Sequence, residues 1–125
     1  MPNSIDIISV EGELVALGSS QITQFVRQID IVYLQSESCY TKIFLADKTC
    51  FTMCRTLKNY EALLNSKIFF RCHKSFMVNR YFIKGIIKKD CEQLVLKSGI
   101  QIPIARRKLV DLKKLMLPIA IIENR

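Results

Sequence analysis

Two short runs of polar side chains interrupt a sequence that is otherwise half hydrophobic. The first is Arg71-Cys72-His73-Lys74-Ser75-Phe76-Met77-Val78-Asn79-Arg80, which sets cationic and amide groups around an apolar triplet. The triplet suits a core anchor that leaves the polar groups projecting around it. Lys74 has no evident structural task, because lysine is rarely buried. Asn79 can brace a turn by bonding nearby backbone, and His73 fits a half-buried structural role as well as a contact. The second run is Pro103-Ile104-Ala105-Arg106-Arg107-Lys108. It falls where a strand pattern gives way to a helix pattern. Cations at a helix N-terminus oppose the helix dipole. That local cost makes sense if phosphates sit opposite, since the free N–H groups there already favour anions. Both runs offer the chemistry of polyanion recognition.

Catalytic chemistry is harder to assemble, and no enzyme is expected. His73 is the only histidine. There is no Gly-rich phosphate loop, no Gly-x-Ser-x-Gly elbow and no His/Cys set with metal spacing, so no cofactor or metal is expected either. The five cysteines (Cys39, Cys50, Cys54, Cys72, Cys91) form an odd set without a Cys-x-x-Cys pair. On one strand, Cys50 and Cys54 would stand about 13 Å apart at ~3.3 Å per residue. A disulfide needs α-carbons within ~7 Å. Reduced packing thiols are the expectation for all five.

Charge is unevenly spread. Residues 1–70 carry 6 Lys/Arg against 7 Asp/Glu, whereas residues 71–114 carry 12 against 3, a local balance of +9 within a total of +8. A neutral first half and a basic second half mark a polyanion-binding surface. No apolar run reaches the ~18 residues needed to span a bilayer; the longest, 115–122, is interrupted by Pro118. The N-terminus lacks the basic start and long apolar stretch of a secretory signal. A cytoplasmic protein with no membrane partner is expected.

The elements that must position the two runs are short. Alternation predicts strands at 5–9, 13–17 and 21–26, with Gly12 and Gly18 among the turn residues between them. Residues 29–35 are more continuously apolar, as a strand covered on both faces would be. A polar loop at 36–39 precedes strands at 40–46 and 49–54, a hairpin turned by Asp47-Lys48. Thr56 then caps a helix whose Leu57, Tyr60, Leu63 and Leu64 recur at helical spacing and which ends at Asn65-Ser66. Further strands are expected at 68–72, 82–87, 92–97 and 100–104. A second helix from Arg106 carries Leu109, Leu112, Leu115 and Met116. The fold class is mainly β, with two short helices, in one domain without internal repeats.

The order and spacing of these pieces resemble the LytTR family of DNA-binding domains, found in LytR/AlgR-type bacterial transcription regulators. The pieces are 30–35, a loop ending in Tyr40, 56–58, the run 69–79 and the run 102–107. Within 69–79 the phenylalanine–arginine–x–histidine–x–serine–x–x–valine–asparagine pattern is much more specific than any single motif. The resemblance covers roughly residues 11–117, leaving 1–10 as an N-terminal extension and 118–125 as a C-terminal tail. It implies an elongated arrangement of short antiparallel strands with flanking helices, in a response regulator of a two-component system. A receiver domain outside these residues would then be a partner. It further implies that loops, rather than a recognition helix, enter successive major grooves of double-stranded DNA. The loop at Cys39 and Tyr40, Lys74, and Arg106 would meet bases. Lys42, Arg80, Arg107 and Lys108 would meet phosphates, and Asn79 belongs to the same set. The expected target is a pair of repeats in one orientation, occupied by two copies or a dimer. Two departures bear on target sequence and affinity: lysine at 74 where many relatives have arginine, and alanine at 105 where serine is usual. An RNA-binding or protein-interaction module using the same basic face is the alternative. RNA readers display stacking aromatics on a sheet, whereas most of the Phe and Tyr here occupy core-like positions.

Overall fold

The computed structural model describes residues 13–88 and 90–116. The strand expected at 5–9, the N-terminal extension and the C-terminal tail lie outside the described residues. Within them the chain forms β1 (Leu14–Gly18), β2 (Thr23–Arg27), β3 (Ile31–Glu37), β4 (Tyr40–Leu45), β5 (Cys50–Met53), α1 (Leu57–Leu63), β6 (Phe69–His73), β7 (Phe76–Asn79), β8 (Ile83–Lys88), β9 (Glu92–Leu96), β10 (Gln101–Pro103) and α2 (Lys108–Met116). Single 3-10 turns at Gln28–Asp30 and Arg80–Phe82 were not expected. Nor was β7, whose Phe-Met-Val triplet reads as an anchor and proves to be a strand in its own right.

All the strands pair antiparallel. A five-stranded sheet runs β5-β4-β3-β7-β6, flanked by the β1–β2 hairpin and a three-stranded sheet β10-β9-β8. β3 is the centre of the large sheet, and it is covered on both faces, as its continuous apolar run requires. Ile31 and Leu34 pack with Leu17, Tyr60 and Met77 in one core, while Val32 and Tyr33 pack with Val78, Leu96 and Leu112 in another. Two consecutive residues can face the same way because the β3–β4 register slips between Ile31 and Tyr33, a bulge.

The first core lies between the large sheet, the β1–β2 hairpin and α1. Gly18 shapes the hairpin end: its φ is +142°, and a Cβ there would collide with the Ile22 carbonyl. Thr56 caps α1 as expected, its hydroxyl accepting from the Asn59 N–H at 3.2 Å. Leu57, Tyr60 and Leu64 are buried, but Leu63 is 52% exposed, so the apolar stripe is narrower than its spacing suggests. The second core lies between the other face of the sheet, the three-stranded sheet and α2. Burial of Leu112 seats α2 there, and a fully buried leucine contributes roughly 1.5–3 kcal/mol.

The cysteines depart from expectation in one respect. All five are free thiols, but Cys39, Cys50, Cys54 and Cys91 are exposed, and only Cys72 packs in a core. Cys39, Cys54 and Cys91 lie in the turns and bends next to β4, β5 and β9, and Cys50 opens β5, positions that composition does not reveal.

Candidate nucleic-acid interface

The β6–β7 hairpin carries most of the first polar run, and its tip is held by a dense set of local bonds. Arg71 sits on the α1 face of the sheet. Its Nε donates to the His73 carbonyl at 3.0 Å and its Nη2 to the Lys74 carbonyl at 2.6 Å, while Nη1 meets Glu61 of α1 at 2.7 Å. His73 Nδ1 accepts from the Ser75 N–H at 3.1 Å. In the neutral ring this leaves the proton on Nε2. One arginine and one histidine thus fix the turn, and Lys74 is exposed at its apex. Sequence reasoning assigned no role to Arg71; the arginine–x–histidine–x–serine spacing is the signal that could have.

Two backbone bonds set this tip beside its neighbours. Ser36 N–H donates to the Ser75 carbonyl at 2.8 Å, bringing the β3–β4 turn alongside. That turn places Ser38 at φ +58° and exposes Cys39 and Tyr40. On the other side, Ala105 N–H donates to the Cys72 carbonyl at 2.8 Å, drawing the β10–α2 junction against β6. The three segments carrying Cys39, Lys74 and Arg106 therefore form a continuous row.

Arg106 and Arg107 occupy the turn ahead of α2, and both are exposed. Lys108 is the first residue of the helix and is half-buried. The helix proper therefore begins two residues later than Arg106. Among the described residues, Lys74, Arg106, Arg107 and Lys108 make no salt bridge, whereas Lys42 pairs with Glu37 at 3.1 Å beside the β3–β4 turn.

Two expected contact residues are engaged within the fold. Asn79 has no exposed surface. Its Nδ2 donates to the Ile29 and Ile31 carbonyls at 3.1 and 2.9 Å, and its Oδ1 accepts from the Tyr81 N–H at 2.9 Å. It braces β3 against the 3-10 turn, the task its chemistry suggests. Arg80 is tied to the far end of α2, its Nη1 donating to the Leu115 carbonyl at 3.0 Å and its guanidinium lying 4.8 Å from the Tyr81 ring centre. The resemblance marks it for phosphate, whereas its capture by a helix end is a tertiary fact. Among the described residues no three His, Cys, Asp or Glu groups gather to hold a metal ion, and no helix is long and apolar enough to cross a membrane.

Residues 23–117 match the family described as the LytTr DNA-binding domain. The chain is 32% identical over 103 residues to the sensory transduction protein LytT of Bacillus subtilis (strain 168), a match covering 81% of the chain and 42% of that protein. The chain thus spans less than half the length of this curated relative. A solved LytTr DNA-binding domain, from a Bacillus cereus protein described as a methyl-accepting/DNA response regulator, superposes with a TM-score of 0.70 at 26% identity. That match covers 82% of this chain and 95% of the other.

Proposed function

The chain belongs to the LytTr DNA-binding domain family, and on that premise we propose that it reads specific sequences in double-stranded DNA with the row of three loops. The observation that carries the reading is the contiguity of the β3–β4 turn, the β6–β7 tip and the β10–α2 junction, with unpaired cations at the last two. Arg106 can grip guanine O6 and N7 bidentately, and Lys74 serves guanine or phosphate as a single point of charge. Arg107, Lys108 and Lys42 are the phosphate ligands. Lys42 must share its charge with Glu37, so it contributes least. The domain comprises residues 11–117. In this reading it is the output half of a bacterial response regulator with a receiver domain elsewhere, as its likeness to a sensory transduction protein suggests.

Binding to labelled duplex, with single-stranded DNA and RNA as competitors, tests the class of partner. Four or so phosphate contacts give log K against log salt a slope of roughly −4 at ~0.9 per contact. A slope near zero, or stronger competition by RNA than by duplex, overturns the reading.

A further inference from the structure

We propose that the cleft between the five-stranded and three-stranded sheets, at the end of the β3–β4 hairpin away from its turn, is a binding site for a small amphipathic carboxylate such as a medium-chain fatty acid. The cleft holds about 600 Å³, within the range of ordinary small-molecule sites. Its floor is the stacked pair Tyr33 and Phe44, with ring centres 4.4 Å apart and planes 14° from parallel. Val32, Leu45, Phe82 and Ile100 supply apolar walls. Ile100 remains 43% exposed, so part of this wall faces water while the cleft stands open. An alkyl chain laid against it removes that apolar surface from solvent.

The anionic end is argued from charge. Lys48, in the β4–β5 turn, and Lys97, in the β9–β10 turn, also line the cleft. Neither forms a salt bridge among the described residues, and both are exposed. Among the described residues no acidic side chain lines the cleft, and Asp47, beside Lys48 in the turn, accepts from the Thr49 N–H at 2.9 Å. Lys48 further adopts φ +74°, a left-handed conformation in which glycine or asparagine would be cheaper. The turn sets that φ, through the Lys48 N–H to the Leu45 carbonyl at 2.9 Å and the Leu45 N–H to the Thr49 carbonyl at 2.9 Å, so the charge of residue 48, and not its backbone, argues for an anion. The Ser98 hydroxyl, also lining the cleft, can donate to the same carboxylate. The three loops proposed for DNA lie at the other end of the β3–β4 hairpin, so the two sites are separate and the two readings stand or fall independently.

The test is an amide chemical-shift titration of the whole chain with octanoate, and with octanol and octylamine as controls. Octanoate is expected to shift the amides of Ala46, Phe82, Ser98 and Ile100 saturably, and more tightly than either control. Lys48→Gly relieves the left-handed backbone, so it should leave the melting temperature unchanged or raised while weakening octanoate. Lys48→Gly with Lys97→Ala should weaken octanoate about three- to tenfold, the reach of two partly screened charges. Filling the cleft by Ala46→Trp should abolish binding, and octanol should fail with it. Equal affinity for octanol overturns the carboxylate assignment. Unsaturable shifts, or shifts spread away from the cleft, overturn the site.

Discussion

Adjacent arginines at the β10–α2 junction need not do the same work. Arg106 and Arg107 are both exposed in the turn ahead of α2, where successive side chains leave the backbone in different directions. With Arg106 over the groove, Arg106→Ala costs ~1–3 kcal/mol on the best site and relaxes preference at one base position, whereas Arg107→Ala weakens all sequences alike and makes the salt slope shallower by about one unit. Binding to a panel of single-base variants at several salt concentrations separates the two, and the reverse pattern would sink the assignment. Asn79 and Arg80 behave differently, because both are occupied within the fold. Asn79→Ala strands two carbonyls and an N–H that its amide now serves, a loss of about 1–3 kcal/mol. Arg80→Ala releases the end of α2 and lowers the melting temperature, yet leaves the salt slope unaltered. A slope that became shallower by a full unit in Arg80→Ala would restore it as a phosphate ligand.

What could be read at the level of elements followed from what each pattern encodes. Alternation and apolar runs located every strand of the described residues but β7, and helical spacing located both helices, with ends displaced by a residue or two, since hydrogen bonding rather than residue type sets the last turn. The largely apolar run 29–35, broken by Asp30 and Gln35, announced a strand buried on both faces. Its bulge was not announced, because a slipped register leaves no mark when both faces are apolar. For the same reason β7 went unread: four residues that feed two cores and end in a buried asparagine show no period of two. The loops of the candidate interface were legible through the family resemblance, whereas the burial of Asn79 and the tether of Arg80 depend on segments 35 to 50 residues away. Packing of α2 against β6 also makes a prediction. Burial there pushes the Cys72 thiol up from 9.0 to about 12. Well below pH 9 the thiol is neutral in both folded and unfolded chains, so there it leaves stability unaffected by pH. Above pH 9 the unfolded chain loses the proton and the folded one keeps it, so stability falls as pH rises toward 12. Burial raises Tyr33 and Tyr60 in the same sense, so the comparison is with Cys72→Ala, which should lose less stability between pH 9 and 10. A parallel loss in both proteins would show that the thiol titrates normally.

At the scale of the whole molecule, the proposed reading sets one row of three turns against one side of the duplex. Loops on one side of a duplex meet it only where a groove faces them, about once per 10–10.5 base pairs. The target that the resemblance implies, two short motifs in one orientation, would place a second copy on the same side of the DNA. The described part of the chain offers apolar surface for a head-to-tail contact, in which this patch of one copy would meet a different surface of the next: on the β1–β2 hairpin, Phe25 is 73% and Ile22 64% exposed. If neighbouring copies touch, occupancy of one repeat should raise affinity for the other when their centres lie one or two turns apart. Inserting five base pairs rotates one copy to the opposite face of the DNA and breaks the contact. Paired occupancy should then fall to the product of the separate affinities, while each single repeat binds as before. Footprints of both repeats across a protein titration read the two occupancies directly. Paired occupancy that survives the insertion undiminished means the copies bind without touching, and the repeat arrangement must then be set by something outside these residues.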